Sequence, residues 1–181
     1  MDQSRGEMRF TRLVQTCCSA LALLFCMSAN AGEVYAGIDG AIDRIHIADT
    51  YFKPVTTKLR LGYQFSNYAF ELHYGKGASN DEVNQLTVAV DQQAALYCRV
   101  NFDITSHARI YLMAGAAQTK INVTGALGTG PDQYSDFSYA FGIEDYFPGV
   151  KAMQILLEYA ELYNDKVLEI GGLSLGLRYN F

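Results

Sequence analysis

Residues 171–181 read G-G-L-S-L-G-L-R-Y-N-F and divide cleanly by parity. Leu173, Leu175, Leu177, Tyr179 and Phe181 fall on one side, and Gly172, Ser174, Gly176, Arg178 and Asn180 on the other. Successive strand side chains point to opposite faces, so this stretch is a strand with one apolar and one polar face. Two environments suit such a strand: the core of a soluble β-domain, or lipid with aromatics at its boundary. A sequence closing on Phe181 fits the second better, because an aromatic at the interface needs no polar tail behind it.

The same alternation recurs along the chain. Residues 33–43 set Val34, Ala36, Ile38, Gly40 and Ile42 against Tyr35, Gly37, Asp39, Ala41 and Asp43. Residues 57–65 and 68–75 flank a Ser66-Asn67 turn and form a hairpin. Leu59, Leu61, Tyr63, Phe65, Tyr68, Phe70, Leu72 and Tyr74 make its apolar face, opposite Lys58, Arg60, Glu71 and His73. Residues 85–102 keep Leu86, Val88, Val90, Ala94, Leu96, Cys98, Val100 and Phe102 in one register, with Asp91, Gln93, Tyr97 and Arg99 opposed. Further runs cover 107–118, 136–147 and 150–161. In the first of them the side taken by Tyr111 and Met113 is open.

Counting the terminal run gives an all-β chain of eight antiparallel strands, and the connections between them alternate. Polar stretches near 44–56, 76–84, 119–135 and 163–166 read as long loops. Ser66-Asn67, residues 103–106 and Phe147-Pro148-Gly149 read as tight turns. Unequal connections of this kind mark an up-and-down transmembrane barrel with long outer loops and short periplasmic turns, which places both termini in the periplasm. Aromatics gather at both ends of the outward faces, as two interfacial girdles require. The mean hydropathy of +0.01 agrees, since apolar and polar residues cancel along barrel strands.

Residues 1–31 read as a cleavable signal peptide and 32–181 as the barrel domain. Arg9 and Arg12 precede an apolar run, Leu21 to Met27, and Ala29-Asn30-Ala31 supplies a small-x-small site that leaves Gly32 first. Translation from Met1 or from Met8 gives the same mature chain. Cys17, Cys18 and Cys26 leave with this segment, so the remaining Cys98 forms no intrachain disulfide and no metal cluster. No cofactor is expected. The net charge of −5 disfavours nucleic acid as a partner.

Leu61 to Gly75 and the terminal L-S-L-G-L-R-Y-N-F resemble the small outer-membrane β-barrel proteins, the OmpA/OmpX-type eight-stranded barrels. The resemblance covers the mature chain. It implies a bacterial outer-membrane location among membrane lipid and lipopolysaccharide. It also implies that Leu173, Leu175, Leu177, Tyr179 and Phe181 form the signal read by the barrel-assembly machinery.

Eight strands leave an interior that side chains can fill. Parity sends Lys58, Arg60, Arg99, Arg109 and Arg178 inward with Asp39, Glu71, Asp91, Glu144 and Glu158. Charges of mixed sign in similar number suggest a salt-bridged, plugged lumen. Function then belongs to the outer loops or to the barrel's presence in the envelope: integrity, or surface interaction such as adhesion and host resistance through an extracellular ligand. The alternatives are a narrow porin-like channel, a lipid-modifying enzyme and a soluble periplasmic ligand-binding barrel. The enzyme would rest on His46 near Ser79, Asp49 or Asp81; His73 reads as a lumen residue and His107 as a periplasmic-turn residue.

Overall fold

In the structure, a computed structural model, residues 32–47, 50–125, 128–165 and 167–181 are described. The strands are β1 (Glu33–Ile47), β2 (Thr50–Phe52), β3 (Val55–Phe65), β4 (Tyr68–Ser79) and β5 (Asp81–Val83). They continue with β6 (Leu86–Asp103), β7 (Ala108–Gly125), β8 (Gly128–Phe147), β9 (Val150–Asn164) and β10 (Leu168–Asn180). The eight long strands run antiparallel to their neighbours in the order β1-β3-β4-β6-β7-β8-β9-β10, and β10 pairs back onto β1 from Tyr35↔Asn180 to Ile47↔Leu168. That last pairing closes the barrel. β2 folds back on β1, and β5 on β6.

Burial runs opposite to that of a soluble domain. Leu59, Leu61, Leu72, Leu112, Phe141 and Leu175 are each more than half exposed, while Arg60, Arg99, Glu71 and Glu158 are at most 2% exposed. Water outside would penalise that apolar band, and lipid removes the penalty. At about 3.3 Å per residue and a tilt of about 40°, the outward row from Leu173 to Phe181 rises about 20 Å, close to the about 25 Å band of such barrels.

The tight turns have local causes. Ser66, with φ of 54°, and Asn67 join β3 to β4. Between β8 and β9, Pro148 fixes one turn position and Gly149 takes φ of 82° at the next, where a Cβ would be strained. At the β6–β7 turn the Thr105 hydroxyl accepts from the His107 and Ala108 amides at 3.1 and 2.9 Å.

The long connections are not the loops expected from composition. β1 runs on to Ile47 and returns as β2; β4 runs to Ser79; β7 and β8 continue as a hairpin to Gly125↔Gly128. Once a strand leaves lipid its outward face turns polar, as at Gln118, Lys120, Asn122 and Thr124 on β7. Composition then reads as a loop while the ladder continues.

Irregular registers reset the parity. The β6–β7 register shifts between Val90 and Gln92, which turns Val88 and Val90 inward and leaves Asp91 exposed. The expectation that Val88 and Val90 share the outward register of Leu96, and that Asp91 is a lumen charge, is therefore corrected. Tyr111 and Met113 face inward and are buried. On β9 a bulge leaves Leu162 opposite no β10 residue, so Glu161 and Leu162 are both buried.

Candidate functional site

The lumen is filled in two tiers. The membrane-level tier is an ion-pair network built from alternate residues of many strands. Arg60 on β3 reaches Asp39 at 2.8 Å, Glu158 at 3.0 Å and Glu71 at 3.1 Å. Arg99 on β6 reaches Glu144 at 2.6 Å and Glu71 at 2.7 Å. Glu144 also meets Arg178 at 3.2 Å and Arg109 at 3.3 Å. Lys58 stands 4.0 Å from Asp43, which also accepts from the Gln93 amide at 3.0 Å. Lys58, Arg60, Glu71, Arg99, Arg109, Glu144, Glu158 and Arg178, and with them Asp39, lie in this network or at its edge; of the ten charges expected inward, Asp91 does not.

Tyrosines and glycines complete the tier. The Tyr35 hydroxyl donates to Glu71 at 2.5 Å and that of Tyr111 to Glu158 at 2.9 Å. Arg178 lies 3.9 Å over the Tyr35 ring and Arg99 3.7 Å over Tyr111, geometry in which a desolvated guanidinium is attracted by the ring face. Each ring in turn occupies the space beside a glycine of a neighbouring strand, Tyr35 at Gly62 and Tyr111 at Gly142, where a Cβ would collide with the ring. His73 contacts Glu71 at 2.7 Å and lies edge-on to Tyr97. Above Glu158, a cavity of about 10 Å³ lined by Lys58, His73, Gln93 and Thr119 has room for about one water.

The second tier, at the end of the barrel opposite the two termini, is apolar. Ile45, Phe52, Val88, Val90, Ile121, Leu162, Leu168 and Ile170 pack as one buried cluster, with Tyr134 and Tyr163 against it. The sequence reading missed this cluster. A signal was present in the pairs Ile45/Ile47 and Ile121/Val123, whose spacing continues strands through regions taken for loops, whereas Val88/Val90 lay in a run read as a strand but were given the outward face.

Above the barrel, β6, β7 and β8 rise as a sheet. β8 pairs with β9 only up to Tyr139↔Glu161, whereas it pairs with β7 to its tip. Tyr134 and Tyr163 meet across this divergence with ring centroids 5.2 Å apart. Both phenols are raised above the ordinary value, Tyr134 by burial and then by Asp132, Tyr163 by burial and then by Asp165 and Asp136. The surroundings there are negative.

His46 stacks on Tyr51 at 4.2 Å and lies 3.7 Å from Glu169. Asp81, a proposed companion, instead accepts from the Lys53 and Glu82 backbone amides; Asp49 lies outside the described residues. His107 sits against Tyr146 at the β6–β7 turn. Among the described residues no group of His, Cys, Asp and Glu has the arrangement of a metal site. Leu173, Leu175, Leu177, Tyr179 and Phe181 form an exposed outward row, and the Phe181 amide donates to Val34 at 3.0 Å. Ala29 and Ala31 of the cleavage pattern lie outside the described residues; Gly32 is the first described.

Solved structures share the fold, three of them as follows. Neisserial surface protein A is 16% identical with a TM-score of 0.66, over 84% of this chain and 100% of that one. The attachment invasion locus protein Ail of Yersinia pestis, solved with the heparin analogue sucrose octasulfate, is 18% identical with a TM-score of 0.62, over 84% and 100%. The N-terminal β-barrel domain of Pseudomonas aeruginosa OprF is 18% identical with a TM-score of 0.60, over 83% and 100%. No curated protein sequence matches the chain. The family model of the outer membrane protein beta-barrel domain matches residues 17–181. With the exposed apolar band and the closed eight-stranded wall, that match makes the chain a member of the outer membrane protein beta-barrel domain family and places it in the bacterial outer membrane.

Proposed function

We propose that the protein is a non-enzymatic surface barrel with a sealed lumen, whose work is done by the strands that rise above the outer leaflet. The observation that carries this reading is the doubly blocked interior. Buried guanidinium–carboxylate pairs occupy the membrane level, and an apolar cluster occupies the outer mouth. An ion entering would have to displace paired charges and cross a dry layer. The narrow porin-like channel is therefore the weaker reading. Lipid-modifying chemistry is weaker too, since among the described residues the partners of His46 are the Tyr51 ring and the Glu169 carboxylate, with no Ser, Thr or Cys among them.

Surface interaction, including adhesion or resistance to host factors, is the role that fits a rigid outer extension. The heparin analogue held by the Yersinia protein is a polyanion. Among the described residues Asp81, Glu82, Asp91, Asp132, Asp136, Asp165 and Glu169 outnumber Arg44, Lys53, Lys76 and Lys120 around the outer end, so a polyanionic ligand is not carried over. Residues 1–31 act as the signal peptide, both termini face the periplasm, and the row ending in Phe181 is read by the barrel-assembly machinery. Outer-leaflet lipid and lipopolysaccharide surround the band.

Orientation is the testable core of this reading. With Cys98 replaced by Ser, a cysteine at Gln133 labels with a membrane-impermeant maleimide on intact cells, and one at Asn67 labels only after the outer membrane is opened. The reverse pattern would overturn the proposal.

A further inference from the structure

β8 leaves β9 at Tyr139, and beyond that point its other side is an unpaired strand edge among the described residues. Pro131, Asp132, Gln133, Ser135 and Asp136 are all exposed along it. The edge is held rigid from behind by an unbroken ladder with β7, Gln118↔Ser135 through Asn122↔Pro131. A proline is tolerated in a sheet where its missing N–H faces away from the neighbouring strand. Pro131 thus marks the parity whose amides point to the edge, and alternation assigns the Gln133 and Ser135 amides to that side as well. Two donors and their carbonyls are presented in strand geometry, a template for one more antiparallel strand.

The side chains select the occupant. Asp132 and Asp136 share the parity of Tyr134, and the Tyr163 phenol beside them feels the negative charge of Asp136 and Asp165. A second copy pairing antiparallel through the same edge would bring Asp132 towards the other copy's Asp136, and like charges opposed across strands repel. A strand with Lys or Arg at alternate positions would instead place cations opposite both carboxylates.

We propose that residues 131–136 of β8 dock an extended, basic segment of a partner protein by strand addition. The proposal rests on the reading that the outer end is the working part of the molecule. Hydrogen bonds to Gln133 and Ser135 set the register, and Asp132 and Asp136 set the charge preference.

The test uses the full barrel in lipid nanodiscs and two fluorescent octapeptides, one alternating Lys with Val and its counterpart alternating Glu with Val. Anisotropy should show at least tenfold tighter binding of the Lys peptide, with slowed hydrogen exchange at the Gln133 and Ser135 amides. The double variant Gln133→Pro/Ser135→Pro removes edge donors and no β7 ladder bond, and should abolish binding while keeping the heat-dependent gel shift of a folded barrel. Asp132→Lys/Asp136→Lys should reverse the preference to the Glu peptide. Equal binding of both peptides, binding indifferent to the prolines, or a dimer through this edge in light scattering would overturn the inference. Surface labelling at Gln133 without peptide binding would overturn it alone and leave the surface-barrel reading standing.

Discussion

A guanidinium carried inside an eight-stranded barrel has no bulk water to fall back on, so Arg99 replaces its hydration piece by piece. Glu71 and Glu144 bracket its charge, Asn101 accepts from Nε at 2.6 Å, and Tyr111 covers one face. Glu71 is the most connected carboxylate, touching Arg60, Arg99, His73 and Tyr35. Replacing Glu71 with Ala leaves Arg60 to Asp39 and Glu158 and Arg99 to Glu144, so the buried network is short of one negative charge, and a loss of about 3–5 kcal/mol is expected from that uncompensated positive charge. Urea titration of the refolded protein checks this, and an unchanged midpoint would contradict it. Gly142 gives a steric counterpart. A Val there must push the Tyr111 ring off the strand, breaking its bond to Glu158 and its stack with Arg99. The expected cost is about 1–3 kcal/mol by overpacking, read in the same titration.

Strands in this molecule change environment along their length, and that decides how their sequence reads. β7 carries Ile110 and Leu112 outward within the lipid band, and Lys120, Asn122 and Thr124 outward above it, while Ile121 stays buried inside. Because the upper β7–β8 ladder is continuous, the Ile121 and Val123 region should exchange its amide hydrogens as a structured hairpin. Exchange at unstructured-loop rates would contradict the register.

The same change of environment explains what the sequence made legible. Within lipid, parity alone sorted Lys58, Arg60 and Glu71 from Leu59, Leu61 and Leu72, because lipid and lumen demand opposite polarity. Above lipid that contrast vanishes. A Val facing lipid and a Val facing an apolar core are the same letter, so Val88 and Val90 carried no mark of having crossed the wall. Their inward turn depends on a bulge at Asp91 that only the partner strand reveals. Which carboxylate meets which guanidinium was hidden likewise, since Arg60 and Glu158 meet across the lumen from strands far apart in sequence.

At the scale of the whole molecule, an inverted barrel wall encloses a core split by chemistry, ionic at membrane level and apolar at the mouth opposite the termini. Ion pairs fill the first tier and apolar side chains the second, and on the proposed reading outer-membrane residence supplies a platform rather than a passage. A boiling-dependent mobility shift on a denaturing gel is expected, since the closed ladder must open before the chain extends; a single boiling-independent band would argue against closure. The most direct measurement is the conductance of the purified, refolded protein in planar bilayers. A sealed lumen predicts no steady conductance above the bare membrane, whereas a large, persistent conductance from the folded barrel would contradict the account.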